Sequence, residues 1–181
     1  MIRALVALDL PEAVRGSLSV LQFLLPLPHR VLEENLHLTL AFLGEQPDAV
    51  LEAAHERLVA LHLPEFELQL QGVGLFGGPR PRLAFAGVAP CEPLMRLQAK
   101  VETAARLAGV PLAARRFVPH VTLGRIARLA LPEVMALERA VVALADFQAG
   151  PFPVRGFGLY ASYPGRKGAR YEELARYGLG Q

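Results

Sequence analysis

The sequence predicts a mixed fold of strands and helices made of two small lobes around a cleft, on three observations. Short segments of alternating apolar and polar residues, the mark of half-buried strands, take turns with segments whose apolar residues recur every three to four positions, the mark of amphipathic helices. The phrase His37-Leu38-Thr39-Leu40 returns as His120-Val121-Thr122-Leu123, one copy in each half of the chain. Each half holds too few elements to bury its own apolar faces, so residues 1–181 are expected to pack as a single domain of two interleaved lobes.

Each element has its own local signal. Residues 3–8 form an apolar first strand, and residues 12–25 an amphipathic helix stopped by Pro26 and Pro28. Residues 36–43 read as a strand ended by Gly44, and Asp48 as the N-cap of a helix running to about Leu61. In residues 65–73, Phe66, Leu68 and Leu70 alternate with Glu67 and Gln69, a half-buried strand. Residues 82–88 form the next strand, and the Gly- and Pro-rich residues 72–81 between them read as a loop. A helix over residues 93–107 is closed by Gly109 and Pro111. Residues 117–124 carry the second copy of the repeated phrase on a strand; a helix over 132–144, a strand over 152–161 and a last strand over about 169–177 complete the chain.

Composition bounds the function. With 52% hydrophobic and 20% charged residues the chain is an ordinary globular one. The single cysteine, Cys91, excludes an intramolecular disulfide and any cysteine-rich metal cluster, and fits a reducing compartment. The apolar start is interrupted by Asp9 and Pro11 and lacks a small-residue cleavage site, so it reads as a strand rather than a signal peptide. No apolar run reaches about 18 residues, so no membrane span is expected, and the expected location is the cytosol. Net charge is only +2, yet 17 of the 19 basic residues are Arg, the side chain suited to bidentate phosphate contacts and to stacking on bases. That bias permits nucleic-acid binding without specifying it, and fits a GC-rich genome equally.

The repeated phrase carries the chemistry. On a strand, His37 and Thr39 share one face while Leu36, Leu38 and Leu40 turn into the core; His120 and Thr122 repeat the pattern against Val121 and Leu123. With 5 His and three Thr in the chain, chance placement yields about 0.1 such pairs. Two imidazoles, each with a hydroxyl beside it, make an acid, a base and an anion-holding set for splitting a phosphate ester. Weaker candidates for contact with a nucleic acid are Phe76, Arg80, Arg82 and Tyr160. The run Gly74–Gly78 lacks the Lys-Ser/Thr ending of a phosphate loop.

Three stretches together resemble the two-histidine phosphoesterase superfamily, specifically its RNA 2',3'-cyclic phosphodiesterases, also called 2'-5' RNA ligases. They are Arg3-Ala4-Leu5-Val6-Ala7-Leu8-Asp9-Leu10-Pro11, Glu34-Asn35-Leu36-His37-Leu38-Thr39-Leu40-Ala41-Phe42-Leu43-Gly44-Glu45, and Arg116-Phe117-Val118-Pro119-His120-Val121-Thr122-Leu123-Gly124-Arg125. The resemblance implies a bilobal, pseudo-symmetric α+β fold with two facing antiparallel sheets, outer helices and a central groove. It implies opening of RNA 2',3'-cyclic phosphate ends to 2'-phosphates, with reversible ATP-independent 2'-5' RNA ligation by the same mechanism when a terminal 5'-hydroxyl replaces water. By position, His37 resembles the proton donor, His120 the proton acceptor, and Thr39, Thr122 and Arg125 the phosphate ligands. Arg125 has the wrong parity to share a face with His120 on a regular strand, so a bulge or the strand end near Gly124 must re-aim it.

The family requires no metal, so no cofactor is expected; the expected partner is RNA with a cyclic phosphate end, such as a tRNA fragment, and the expected form a monomer. Three rivals stay open. A metal hydrolase could draw on His37, His120, His55 and His62, although His55 and His62 lie seven apart on a predicted helix and read as a solvated face. A non-catalytic RNA-binding module could hold phosphate without turnover, and a phosphodiesterase could act on a small cyclic nucleotide. His29, between Pro28 and Arg30, reads as a surface loop residue.

Overall fold

A computed structural model describes residues 1–166 and 168–180. The strands are β1 (Ile2–Asp9), β2 (His29–Arg30), β3 (His37–Gln46), β4 (Phe66–Phe76), β5 (Leu83–Val88), β6 (His120–Arg125), β7 (Gln148–Val154), β8 (Gly156–Tyr163) and β9 (Arg170–Gly178). The helices are α1 (Glu12–Leu24), α2 (Asp48–Val59), α3 (Glu92–Leu107) and α4 (Leu131–Ala143), with a 3-10 turn at Glu33–Asn35.

Every strand pairing is antiparallel, in the order β7-β4-β5-β6-β3-β1-β8-β9, with β2 beside β6. The ladder is pinched in the middle: β3 and β6 meet through one residue pair, Leu38 with Val121. The two sheets expected from the resemblance are the two sides of this constriction, four strands each with the short β2 added beside β6, and the two repeated phrases lie on the strands that flank it. The chain crosses between the sides more than once, so β1, β3, β8 and β9 form one and β4 to β7 the other.

The helices follow from their apolar stripes. Val14, Leu18 and Leu21 of α1, and Leu94, Leu97, Val101, Ala104 and Ala105 of α3, recur at helical spacing and are buried. α1 packs on β6 and β7, and α3 on β3 and β4. Each of these leucines stabilises the fold by about 1.5–3 kcal/mol relative to exposure. Among the described residues, no helix is long and apolar enough to cross a membrane.

Several boundaries differ from expectation, each for a local reason. α1 stops at Leu24 because Leu25, preceding Pro26, is held extended at φ −96 and ψ 136. Pro47 rather than Asp48 occupies the cap position of α2, which ends at Val59 and leaves His62 beyond it. β3 does not stop at Gly44; that glycine takes φ +71 beside a register shift, and the strand runs on to Gln46. β4 likewise runs through the glycine-rich stretch to Phe76, with Gly72 at φ +79 in a bulge, so the loop shrinks to residues 77–82. β6 starts at His120 rather than residue 117, since Pro119 has no N–H to give a ladder.

The strand expected over residues 152–161 is two strands. β7 pairs with β4 on one side of the constriction, and β8 pairs with β1 on the other. The burial parity records the crossing, with Phe152 and Val154 buried before it and Phe157, Leu159 and Ala161 after it.

Candidate active site

The facing sides enclose a groove of about 510 Å³ whose lining includes His37, Thr39, His120, Thr122 and Arg125. Alternation alone explains the first four. Leu38, Leu40, Val121 and Leu123 are buried, and the His and Thr residues between them are left half-exposed toward the groove.

Arg125 joins them through a bulge. Against β5, Ala84 pairs with Gly124 and Phe85 with Thr122, so Leu123 is an extra residue that resets the parity of the strand. β3 carries the same device: Val6 pairs with Ala41 and Ala7 with Thr39, leaving Leu40 as the extra residue. Leu40 and Leu123 each follow their histidine by three positions. The residue turned into the groove five positions after His120 is Arg125; the residue five positions after His37 is Phe42, 67% exposed and lining the groove. The sequence reading passed over Phe42 as a site residue, although its spacing matched that of Arg125.

Buried glutamines hold both bulges. Gln22 Nε2 of α1 donates to the Leu123 carbonyl at 2.7 Å and to the Val31 carbonyl at 2.8 Å. Gln98 Nε2 of α3 reaches the Leu40 carbonyl at 3.4 Å. A bulge leaves a backbone group outside the ladder, and a buried group of that kind requires another partner.

Both imidazoles are oriented the same way. His37 Nδ1 lies 2.7 Å from the Asn35 carbonyl and His120 Nδ1 2.8 Å from the Val118 carbonyl. A carbonyl only accepts, so Nδ1 carries the hydrogen in each neutral ring and Nε2 is the free nitrogen on the groove side. Asn35 also donates from Nδ2 to the Ala169 carbonyl, tying Ala169 of the groove lining to the turn that precedes the His37 strand.

The surroundings of the two rings are unequal. Tyr171 presents to His37 edge-on at 5.0 Å between centroids. Behind His120, Phe76 and Phe85 stack at 4.2 Å and meet the imidazole edge-on. Gly74 makes room for that pair, because a Cβ there would come within 2.4 Å of the Phe85 ring.

Asp9 pairs across the ladder with His37, and both line a smaller pocket of about 280 Å³. The Asp9 carboxylate accepts a hydrogen bond from the Tyr160 hydroxyl at 2.6 Å and is also bound by Arg176. Burial holds the His37 pKa below 6.5, opposed by the Asn35 hydrogen bond and the Asp9 charge and assisted by repulsion from His120. Burial and the Asp9 contact push the Tyr160 hydroxyl up, so it remains a donor.

Other candidates lie elsewhere. Tyr160 lines the smaller pocket, engaged with Asp9. Phe76 backs His120, while Arg80 and Arg82 sit exposed in the turn between β4 and β5, outside the lining of the groove. His29 is exposed as expected, but it forms part of β2 opposite Arg125 and lines the groove, as do Arg30 and Arg166. His55 bonds the Tyr177 hydroxyl at 3.0 Å, and His62 the Ala60 carbonyl. Among the described residues, no three His, Cys, Asp or Glu side chains converge as a metal ion would need.

The chain is similar in sequence and in fold to known proteins. The profile of the 2'-5' RNA ligase superfamily matches residues 10–165. An RNA 2',3'-cyclic phosphodiesterase of Aeropyrum pernix is 33% identical, across 78% of this chain and 81% of its own length. The Escherichia coli protein of the same name is 31% identical, across 99% and 97%. The crystal structure of E. coli LigT in its apo form superposes with a TM-score of 0.80 at 29% identity, covering 99% of this chain and 98% of that one. The chain therefore belongs to the 2'-5' RNA ligase superfamily.

Proposed function

We propose that this protein is an RNA 2',3'-cyclic phosphodiesterase, and that residues 1–181 act as one domain to open the cyclic end to a 2'-phosphate. The observation that carries the proposal is the pair of bulged strands. They aim two Nε2 atoms, two threonine hydroxyls and one guanidinium at one groove. The activity printed for the relatives supports the same reading.

In this scheme His120 Nε2 takes a proton from water as the water oxygen attacks phosphorus. His37 gives its Nε2 proton to the ribose 3' oxygen as that P–O bond breaks. Thr39 and Thr122 donate hydroxyls to the phosphoryl oxygens, and Arg125 neutralises their charge with a bidentate fork. The division of labour takes account of the charges. The Asp9 carboxylate, across from His37, partly offsets the burial that disfavours its imidazolium; the cation Arg125 stands on the strand of His120, where the phosphate is favoured. Phe42 offers an exposed ring for the terminal base. A 5'-hydroxyl in place of water would make a 2'-5' linkage through the same proton transfers, without ATP.

No step of the scheme uses a metal, so turnover should persist in a chelator. The lone thiol, Cys91, fits work in the reducing cytosol, and the substrates are taken to be RNA ends such as those of tRNA fragments. The test is hydrolysis of an oligoribonucleotide ending in a 2',3'-cyclic phosphate. His37→Ala and His120→Ala should each lower the rate by about 10²–10⁴-fold, with a 2'-phosphate as the wild-type product. Full activity in either purified variant, or a 3'-phosphate product, would overturn the assignment.

A further inference from the structure

The groove does not end at the catalytic pair. Its lining passes from Arg125 to His29 and Arg30, because β2 fills the place beside β6 where β3 has diverged. The Arg30 guanidinium lies over the Phe23 ring at 5.8 Å. Phe23 is in the last turn of α1 and is 73% exposed, with Val20 at 61% and Leu24 at 53% beside it. These three share the outward face of α1, whereas Leu18, Leu21 and Gln22 face the core. Arg30 forms no ion pair among the described residues. On one side Glu33 accepts a bond from Ser19 at 2.8 Å, and this carboxylate bounds the surface.

We propose that the Arg30–Phe23 surface is the docking path for the RNA strand upstream of its cyclic end. Single-stranded nucleic acid is held sequence-independently by cations along a groove together with aromatic faces on which bases stack. A guanidinium over an exposed aromatic ring, continuous with a phosphate-holding groove, supplies both, and an arginine in that position also adds cation–π attraction. The inference rests on the proposed reaction and extends it, since it makes the preferred substrate an RNA strand rather than a free cyclic nucleotide. It also places the path on the β2 side of the groove, opposite the turn that holds Arg80 and Arg82.

The test compares two substrates, a mononucleotide 2',3'-cyclic phosphate and a short oligoribonucleotide with the same cyclic end, on wild type, Phe23→Ala and Phe23→Trp. The wild type should show a lower KM for the oligonucleotide. Phe23→Ala should raise that KM about tenfold, leave kcat unchanged and leave both constants for the mononucleotide unchanged. Phe23→Trp should keep the low KM. Equal effects of Phe23→Ala on the two substrates, no effect on either, or equal wild-type KM values would overturn the surface while leaving the reaction intact. Failure of the wild type on both substrates would overturn the reaction, and the surface with it.

Discussion

Replacing Gln22 with Leu should reveal how the second bulge is maintained. The side chain is buried and its amide serves two carbonyls, those of Val31 and Leu123. Leu123 also receives the Val31 N–H at 3.0 Å, so in the variant it keeps one donor, while the Val31 carbonyl loses the amide. One buried acceptor left unsatisfied costs about 1–3 kcal/mol, and a second weakened one about 1 kcal/mol. Together they predict a loss of about 2–4 kcal/mol. For a chain of this length that corresponds to a fall in Tm of about 4–16 °C.

The same bond fixes Leu123 as the extra residue, and hence the aim of Arg125. A displacement of that guanidinium by about 1 Å can cost up to 10²-fold, so kcat for cyclic-phosphate opening should fall by about 10–100-fold at temperatures where the variant is folded. Urea unfolding and steady-state kinetics measure the two effects. A stability loss below about 0.5 kcal/mol would refute the bonding argument. A normal kcat in a clearly destabilised variant would refute the claim that Gln22 aims Arg125.

Two further outcomes follow from the surroundings of the histidines. In Asp9→Asn a charge that favours the His37 imidazolium is removed while Tyr160 retains an acceptor, so the His37 pKa should fall further below 6.5. With His37 as the proposed proton donor, the falling limb of the pH–rate profile should move to lower pH. Histidine NMR titration reads the pKa directly, and an unchanged or raised value would sink the idea. Gly74→Ala should destabilise the protein by about 1–3 kcal/mol, because the new Cβ meets the Phe85 ring. That displacement would loosen the aromatic wall behind His120; calorimetry showing a neutral effect would count against it.

Much of the candidate site is legible in the sequence. Alternation is a local property, so His37 with Thr39 and His120 with Thr122 could be placed on one face of their strands from the chain alone. The parity of Arg125 even announced that a bulge was needed near Gly124. The helices were found for the same reason, since an apolar stripe at helical spacing is written in neighbouring residues. Where glycines and prolines were read as breaks, local chemistry misled. Gly44 and Gly72 bend strands without ending them, because pairing along the rest of the strand is retained.

The repeated phrases, the faces they share and the expectation of a cleft are thus local properties of the chain. The remaining features of the groove depend on partners distant in the chain. Gln22 reaches Leu123 across 101 residues, and Tyr160 reaches Asp9 across 151. The matching bulge that turns Phe42 into the groove shows only in the register against β1, and the path toward Phe23 only in the pairing of β2 with β6. Side-chain alternation is set by each strand alone, but the position of a bulge, the charge beside an imidazole and the continuation of a groove are set by what packs against that strand.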